Sequence, residues 1–181
     1  MNRYLARAGL GSRRSVEALV LAGRVLVNGE VVTELGRRID PAGDTVTLDG
    51  RPVAWPERWR TFAFHKPIGV ISSMRPQGRT PCLDLYAGRR DLPPGVVPVG
   101  RLDAYTSGLL LWTDDGDLHQ ALCRPRSGVW KTYEVGLTAP LRADARPRLR
   151  DGGIVLDGRP CLPARLSPLD DGGRNWRMSL R

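Results

Sequence analysis

The residues best suited to chemistry lie in one segment near the middle of the chain. Arg101 and Asp103 stand in a polar stretch that Gly100 and Gly108 bracket, and an apolar run follows at 109–112. A carboxylate on a loop between rigid elements is a favoured setting for a catalytic group. In an extended backbone, residues two apart point the same way, so Arg101 and Asp103 would share one side. An aspartate that forms a turn or cap fits the same pattern, and the residues alone leave both interpretations open.

A metal site has little support in the sequence. The chain has only two histidines, and its three cysteines, Cys82, Cys123 and Cys161, include no C-x-x-C pair. The acidic residues at 114–117 lack the spacing of a calcium-binding loop and match ordinary turn chemistry. We therefore expect no metal site.

The charge of the chain favours a polyanionic partner. The formal net charge is +9, from 28 basic and 19 acidic residues, and only Lys66 and Lys131 among the basic residues are lysines. A GC-rich genome would explain the excess of arginine, but guanidinium groups also grip phosphates and stack on bases. Residues 1–24 contain five arginines but a single acidic residue, Glu17. This excess of positive charge predicts an RNA-contacting surface formed by Arg3, Arg7, Arg13, Arg14 and Arg24.

A membrane protein is not indicated. The longest apolar stretches, such as residues 16–27, are broken by Arg or Gly within about a dozen residues, whereas a bilayer helix needs ~20 apolar residues. Arg3 and Arg7 lie where a signal peptide would need its apolar core. We expect a soluble, cytoplasmic protein, with a monomer as the default.

The elements at the N-terminal end form one small predicted unit. Ser12 is placed to cap a helix that buries Val16, Leu19 and Val20 and ends at Gly23. Two β-rich runs then flank Asn28-Gly29, a pair that favours a type I′ hairpin turn. The composition predicts a domain at 1–48 and a linker at 49–60, rich in Pro, Gly and charge.

The remainder, residues 61–181, is predicted as a second, β-rich domain. Strands are expected from residue 61 and at 96–102, 108–113, 132–137, 154–156 and 175–180, with helices at 117–123 and 143–149. Pro147 interrupts the last of these helices. The predicted fold class is α+β, built on a mainly antiparallel sheet.

The N-terminal pattern resembles the S4 RNA-binding domain. The resemblance rests on Tyr4-Leu5-Ala6-Arg7-Ala8-Gly9, on Gly11-Ser12-Arg13-Arg14, and on the run from Gly23 to Gly29. It implies a module that lays helical arginines on structured RNA.

The central segment resembles the signature of the RNA pseudouridine synthases. The residues that carry the likeness are Gly100-Arg101-Leu102-Asp103, Thr106 and the run 108–111, preceded by 65–70 and followed by Lys131-Thr132-Tyr133-Glu134-Val135. Their order is similar to the ribosomal small-subunit pseudouridine synthase A family, which includes related large-subunit enzymes. The resemblance implies isomerisation of a specific uridine in ribosomal RNA, without cofactor or metal.

The resemblance also assigns roles to residues. It implies that Asp103 is the nucleophile, that Arg101 fills the space left by a flipped-out base, and that Tyr133 stacks on the uracil. Without the resemblance, the residues favour a half-buried strand aromatic for Tyr133. Lys131, two residues away on the same strand face, fits either a phosphate contact or solvated surface charge.

The sequence departs from the family pattern at its end. The family continues beyond a strand like 175–180 into a segment that supplies an arginine paired with the aspartate. We therefore expect a catalytic domain at 61–181 that is incomplete at its C-terminal end. The alternative function is an impaired or inactive relative that binds ribosomal RNA. Neither the uridine nor the subunit follows from the sequence, because RNA shape and loop contacts select them.

Overall fold

The computed structural model describes residues 1–73, 95–125 and 127–181. Cys82 lies outside these residues. The chain divides into two compact units, Met1–Cys123 and Arg124–Arg181, and each is described by itself. The predicted domain boundaries at 48 and 61 stay a prediction.

The first unit begins with two short helices and a four-stranded antiparallel sheet. The elements are α1 (Asn2–Arg7), α2 (Glu17–Leu21), β1 (Val25–Val27), β2 (Glu30–Val31), β3 (Val46–Leu48) and β4 (Arg51–Pro52), with strand order β2-β1-β3-β4. The core of this part consists of apolar side chains from both helices and the sheet, including Leu5, Val16, Val20, Val25 and Val27.

The helix predicted from Ser12 to Gly23 is shorter than expected. Ser12 Oγ accepts the Ser15 N–H at 3.1 Å, and the Val16 N–H donates to the Ser12 carbonyl at 3.1 Å. These bonds form a turn that leads into α2, and Gly23, at φ 67°, follows the helix as predicted. Burial of Val16 and Val20 fixes the helix on the core even though it is little more than one turn long.

The Asn-Gly hairpin is confirmed. Asn28 and Gly29 have φ values of 53° and 85°, the left-handed conformations of a type I′ turn. Val27 pairs with Glu30 across this turn.

The segment at 49–60, which was expected to be a linker, packs against the core formed by α1, α2 and the four-stranded sheet. Its β4 pairs with β3, Thr47 opposite Pro52. Val53 and Trp55 pack against the core, and the Tyr4 hydroxyl donates to the Val53 carbonyl at 2.8 Å.

A three-stranded antiparallel sheet follows in the same unit. Its strands are β5 (Thr61–Lys66), β6 (Val97–Pro98) and β7 (Gly108–Thr113), in the order β5-β7-β6. The strand predicted at 96–102 is much shorter because Gly100 turns the chain at φ 75°. A second core of Val70, Val96, Leu110 and Trp112 lies at this sheet.

Helix α3 (Gly116–Cys123) follows β7 and contacts α1 through charge. Arg3 and Arg7 both bind the carboxylate of Asp117, Arg7 at 2.7 Å. The Arg7 guanidinium also lies 5.3 Å from the Trp55 ring centre and 5.0 Å from that of Trp59. The hydrogen bond from Arg7 holds the pKa of Asp117 below its usual value.

The second unit contains a three-stranded sheet, a short hairpin and one helix. Its elements are β8 (Lys131–Gly136), α4 (Ala145–Asp151), β9 (Val155–Leu156), β10 (Arg159–Pro160), β11 (Arg165–Pro168) and β12 (Asn175–Leu180). The sheet is antiparallel in the order β11-β12-β8, and β9 pairs with β10. Pro147 is tolerated because it lies in the first turn of α4, where backbone N–H groups have no partner within the helix. The mainly antiparallel α+β class is confirmed. Within the described residues, no helix has the length and apolarity to cross a bilayer.

We predict that Arg7→Met destabilises the protein by about 1–2 kcal/mol, because each desolvated contact between a cation and an aromatic ring contributes about that much or less. Urea unfolding measures the loss. Arg58→Met is the matched control, since Arg58 is exposed in the segment that carries Trp55 and Trp59. Equal stability of the two variants would contradict a structural role for Arg7.

The ion pair between Arg7 and Asp117 also predicts that the stability of the protein depends on pH. Folding lowers the pKa of the Asp117 carboxyl. The carboxylate therefore stabilises the folded protein at pH values above the pKa it has in the unfolded chain, and this stabilisation is lost as the pH falls through the lower pKa of the folded state. The stability difference between wild type and Arg7→Met should therefore shrink at acid pH.

Candidate active site

Asp103 lies on an exposed loop that is anchored to the second core. Arg101 and Asp103 are exposed, whereas Leu102 between them is half-buried and packs against that core. Residues 101 to 103 alternate between exposed and half-buried, as they do in extended backbone, and the chain turns at 104–105. Arg101 and Asp103 therefore share the solvent side, as the sequence predicted for an extended segment.

One hydroxyl group holds the main chain between these two residues. Ser72 Oγ donates to the Leu102 carbonyl at 2.8 Å and accepts the Leu102 N–H at 2.9 Å. Both peptide groups next to Leu102 are thus bound by one side chain, thirty residues away in sequence. This contact fixes the backbone immediately before Asp103.

A turn at 66–70 supports the loop from the other side. The Lys66 side chain is fully buried, and its Nζ donates to the Pro67 carbonyl at 2.9 Å and to the Val70 carbonyl at 2.7 Å. The Gly69 N–H donates to the Ala104 carbonyl at 2.7 Å. Lys66 therefore shapes a turn that holds the residue directly after Asp103.

The loop also closes on itself. The Thr106 N–H donates to the Asp103 carbonyl at 3.0 Å, and Gly108 begins β7 at φ 138°. The glycines that the sequence placed at both ends of the segment lie where the backbone adopts positive φ, which favours glycine.

The Asp103 carboxylate is available for a ligand. It is exposed, and within residues 1–73, 95–125 and 127–181 it makes no hydrogen bond or ion pair. The main chain of Asp103 is held on both sides while its side chain is not engaged in this part of the chain. A fixed backbone with an open carboxylate suits a group that must meet a reacting atom.

Tyr133 and Lys131 belong to the second unit. Both lie on β8, where Tyr133 pairs with Met178 and Lys131 with Leu180. Tyr133 is half-buried on the face that also carries Trp176, and Lys131 is exposed. The prediction that these two side chains share a strand face agrees with this register.

The predicted RNA-contacting arginines fall into three groups. Arg13 and Arg14 are exposed and have no acidic partner among the described residues. Arg24 binds Asp49, with its Nε 2.9 Å from Oδ1, and this hydrogen bond lowers the pKa of Asp49. Arg3 and Arg7 bind Asp117, and only 10% of the Arg7 side chain is exposed.

Candidate metal ligands do not gather in the described part of the chain. No group of three or more His, Cys, Asp or Glu side chains there is arranged to hold an ion.

The sequence did not single out Ser72. A serine after a β-rich run is a common pattern, and its partner, Leu102, is distant in the chain. Only its position two residues after the turn at 66–70 offered a signal.

Comparison with known proteins gives two family matches. Residues 60–157 match the family described as RNA pseudouridylate synthase, and residues 2–53 match the S4 domain.

Individual relatives agree with these matches. An uncharacterized RNA pseudouridine synthase of Aquifex aeolicus is 39% identical over 87% of this chain and 63% of its own length. The ribosomal large subunit pseudouridine synthase B of Bacillus subtilis is 40% identical over 91% of this chain and 66% of its own length. The chain thus spans a little under two thirds of the Aquifex relative. A crystal structure of a pseudouridylate synthase superposes with a TM-score of 0.62 at 26% identity, covering 99% of this chain and 75% of that one.

We predict that Ser72→Ala loosens the loop without unfolding the protein. Removing the acceptor of the Leu102 N–H costs about 1–2 kcal/mol, so exchange of that amide should accelerate roughly five- to thirtyfold. Hydrogen exchange measured by NMR tests this. Thr61→Val is the control, because it removes a hydroxyl bound to Thr113 at the other end of the same sheet. Unchanged protection of Leu102 in Ser72→Ala would contradict the prediction.

Proposed function

The chain belongs to the RNA pseudouridylate synthase family and carries an S4 domain, and we propose that it isomerises a uridine of ribosomal RNA to pseudouridine. Relatives named ribosomal large subunit pseudouridine synthase B, in Bacillus subtilis and Vibrio cholerae, favour the large-subunit RNA as substrate. This substrate implies that the protein acts in the cytoplasm.

The proposed reaction exchanges one bond to the ribose for another. The bond between N1 of uracil and C1′ breaks, the base rotates, and a bond between C5 and C1′ forms. The proton on C5 is lost, and N1 gains one, so no oxidant, reductant or cofactor is required. The Asp103 carboxylate acts as the nucleophile: one of its oxygens bonds to C1′ as the bond to N1 breaks, and this new bond breaks in turn when C5 bonds to C1′.

A single carboxylate suffices for this chemistry. Hydrolysis of a glycosidic bond usually needs a second carboxyl group to protonate the leaving group. Uracil leaves as a stabilised anion, so the second acid is not required. This explains why one exposed aspartate, without a neighbouring carboxylate in the sequence motif, is compatible with the activity.

The other site residues act on the base. A uridine within structured RNA must leave its stack before the ribose can be reached, at a cost of a few kcal/mol. In the proposal Arg101 fills the vacated space, and Tyr133 stacks on the flipped uracil and assists loss of the C5 proton. Lys131 contacts a phosphate.

Docking on the RNA is assigned to the S4 domain. Among its five predicted arginines, Arg13 and Arg14 are the strongest candidates, because they are exposed and have no acidic partner in the described structure. Arg3, Arg7 and Arg24 share their charge with Asp117 or Asp49, so we propose a weaker direct contribution from them.

One observation carries the proposal. The Asp103 carboxylate is exposed and open within the described residues, while Ser72 and Gly69 hold the backbone on either side of it. The side chain of a turn or capping aspartate would instead accept hydrogen bonds from nearby backbone N–H groups.

We predict that the protein releases tritium from ribosomal RNA labelled at uridine C5, and that Asp103→Asn abolishes release. The amide is isosteric but cannot act as an anionic nucleophile, so RNA affinity should change by less than about threefold. Asp171→Asn is the control, because it removes another exposed carboxylate from a loop in the second unit.

The alternative function predicts a different result. A relative that only binds RNA would release no tritium from either subunit's RNA while retaining affinity. Equal release by Asp103→Asn and wild type would instead exclude Asp103 as the nucleophile.

We predict that Arg13→Glu combined with Arg14→Glu weakens RNA binding and lowers its salt dependence. Each phosphate contact adds about 0.7–0.9 to the slope of log K against log salt, so the slope should fall by about 1–2. Fluorescence anisotropy across a KCl series measures it. Arg37→Glu with Arg38→Glu is the control, since these adjacent arginines are also exposed in the S4 domain. Identical slopes for the two double variants would contradict the assignment.

A further inference from the structure

The sheet of the second unit has two unlike faces. Register places Thr132 opposite Ser179 and Ser179 opposite Arg165, so these three residues share one face. The other face carries the apolar side chains of Tyr133, Trp176 and Met178. We call the first the polar face, and its residues are Trp130, Thr132, Glu134, Arg165, Ser167, Arg177, Ser179 and Arg181.

Two arginines of the polar face lie on a single tryptophan. The guanidinium carbon of Arg165 is 3.9 Å from the centre of the Trp130 ring, and that of Arg181 is 5.2 Å from it. Both arginines are exposed, while Trp130 is half-buried. The ring therefore restrains two long side chains that would otherwise be mobile in solvent, which reduces the entropy lost when they bind a ligand.

This arrangement leaves the hydrogen-bonding groups of both arginines available. A contact between a guanidinium and an aromatic ring uses none of its five N–H donors, and neither side chain donates a hydrogen bond to another described residue. Neither Arg165 nor Arg181 has a carboxylate partner among the described residues.

Three other arginines of this unit each pair with a carboxylate. Arg142 binds Asp144 at 2.9 Å, Arg150 binds Asp151 at 2.8 Å, and Arg177 on the polar face binds Glu134 at 3.1 Å. The free positive charge of the face is thus concentrated around Trp130.

The net positive charge of the chain is concentrated in the second unit. Residues 124–181 contain 12 basic and 6 acidic residues, whereas residues 1–123 contain 16 and 13. Most of the net charge of +9 therefore belongs to the smaller unit. A surface of this kind attracts a polyanion.

We propose that the polar face is a second RNA-contacting surface, in which Arg165 and Arg181, ordered by Trp130, bind backbone phosphates. The proposal rests on the proposed function for the identity of the polyanion. Phosphate is the fitting ligand because two forked guanidinium groups match its oxygens. The surface is distinct from the arginines of the S4 domain.

The test compares two matched double variants of the full chain. Arg165→Gln with Arg181→Gln and Arg142→Gln with Arg150→Gln each remove two positive charges from exposed positions of the same unit. Affinity for a fluorescent RNA stem-loop of about 30 nucleotides is measured by anisotropy between about 0.05 and 0.2 M KCl, the range over which phosphate contacts dominate the salt response. Thermal unfolding establishes that each variant is folded.

We expect the Arg165/Arg181 variant to bind about tenfold more weakly, with a salt slope smaller by about 1–2, and the Arg142/Arg150 variant to change less than about threefold. Trp130→Leu retains the charges but removes the stacking, so it should weaken binding while keeping most of the slope. Equal losses in the two double variants would overturn the proposal, and so would unchanged affinity in the Arg165/Arg181 variant.

The readout separates this proposal from the proposed function. Tritium release tests the isomerase without reference to the polar face. Differential RNA affinity of the double variants supports the surface even in a chain that releases no tritium.

Discussion

The two hydrogen bonds between the Ser72 hydroxyl and the main chain of Leu102 hold the loop on which the proposed chemistry depends. A short exposed loop has little packing of its own, so its backbone must be held by neighbouring polar groups. Ser72 binds it before Asp103, and Gly69 binds it after, at Ala104. The buried ammonium of Lys66 in turn closes the turn that carries Gly69. The carboxylate itself is left open in the described structure, which is the combination a nucleophile needs.

Arginine serves two opposite purposes in this protein. Arg7 is almost enclosed by Trp55, Trp59 and Asp117, so it acts as a structural link between α1 and α3. Arg165 also stacks on a tryptophan, but no carboxylate in the described residues completes the contact. The aromatic ring orders the side chain in both cases, and the acidic partner decides whether its charge is used inside the protein or remains for a ligand. Basic composition alone therefore overstates the RNA-contacting surface.

Much of the fold was predictable because its signals are local. Asn28-Gly29 requires positive φ at adjacent residues, which few turns other than a type I′ hairpin provide. The strand at 108–113 appears with the expected bounds, because its apolar run is bounded by Gly108 and an acidic turn. Two predictions were wrong: the long strand at 96–102 and the full-length helix from Ser12. In both places the conformation of the backbone, rather than the pattern of apolar side chains, determined the structure. Gly100 turns the chain, and the residues after Ser12 form a turn rather than a regular helix.

The sequence by itself determined the α+β class, the hairpin and the strands with strong alternation, and it singled out Asp103 by the glycines and the motif around it. These depend on residues that are neighbours in the chain. Only the tertiary structure decided that Ser72 holds Leu102, that Asp117 occupies Arg3 and Arg7, and that Trp130 gathers Arg165 and Arg181. Each of these contacts joins residues 30 or more positions apart, and no local propensity specifies which distant side chain a hydroxyl or guanidinium will meet.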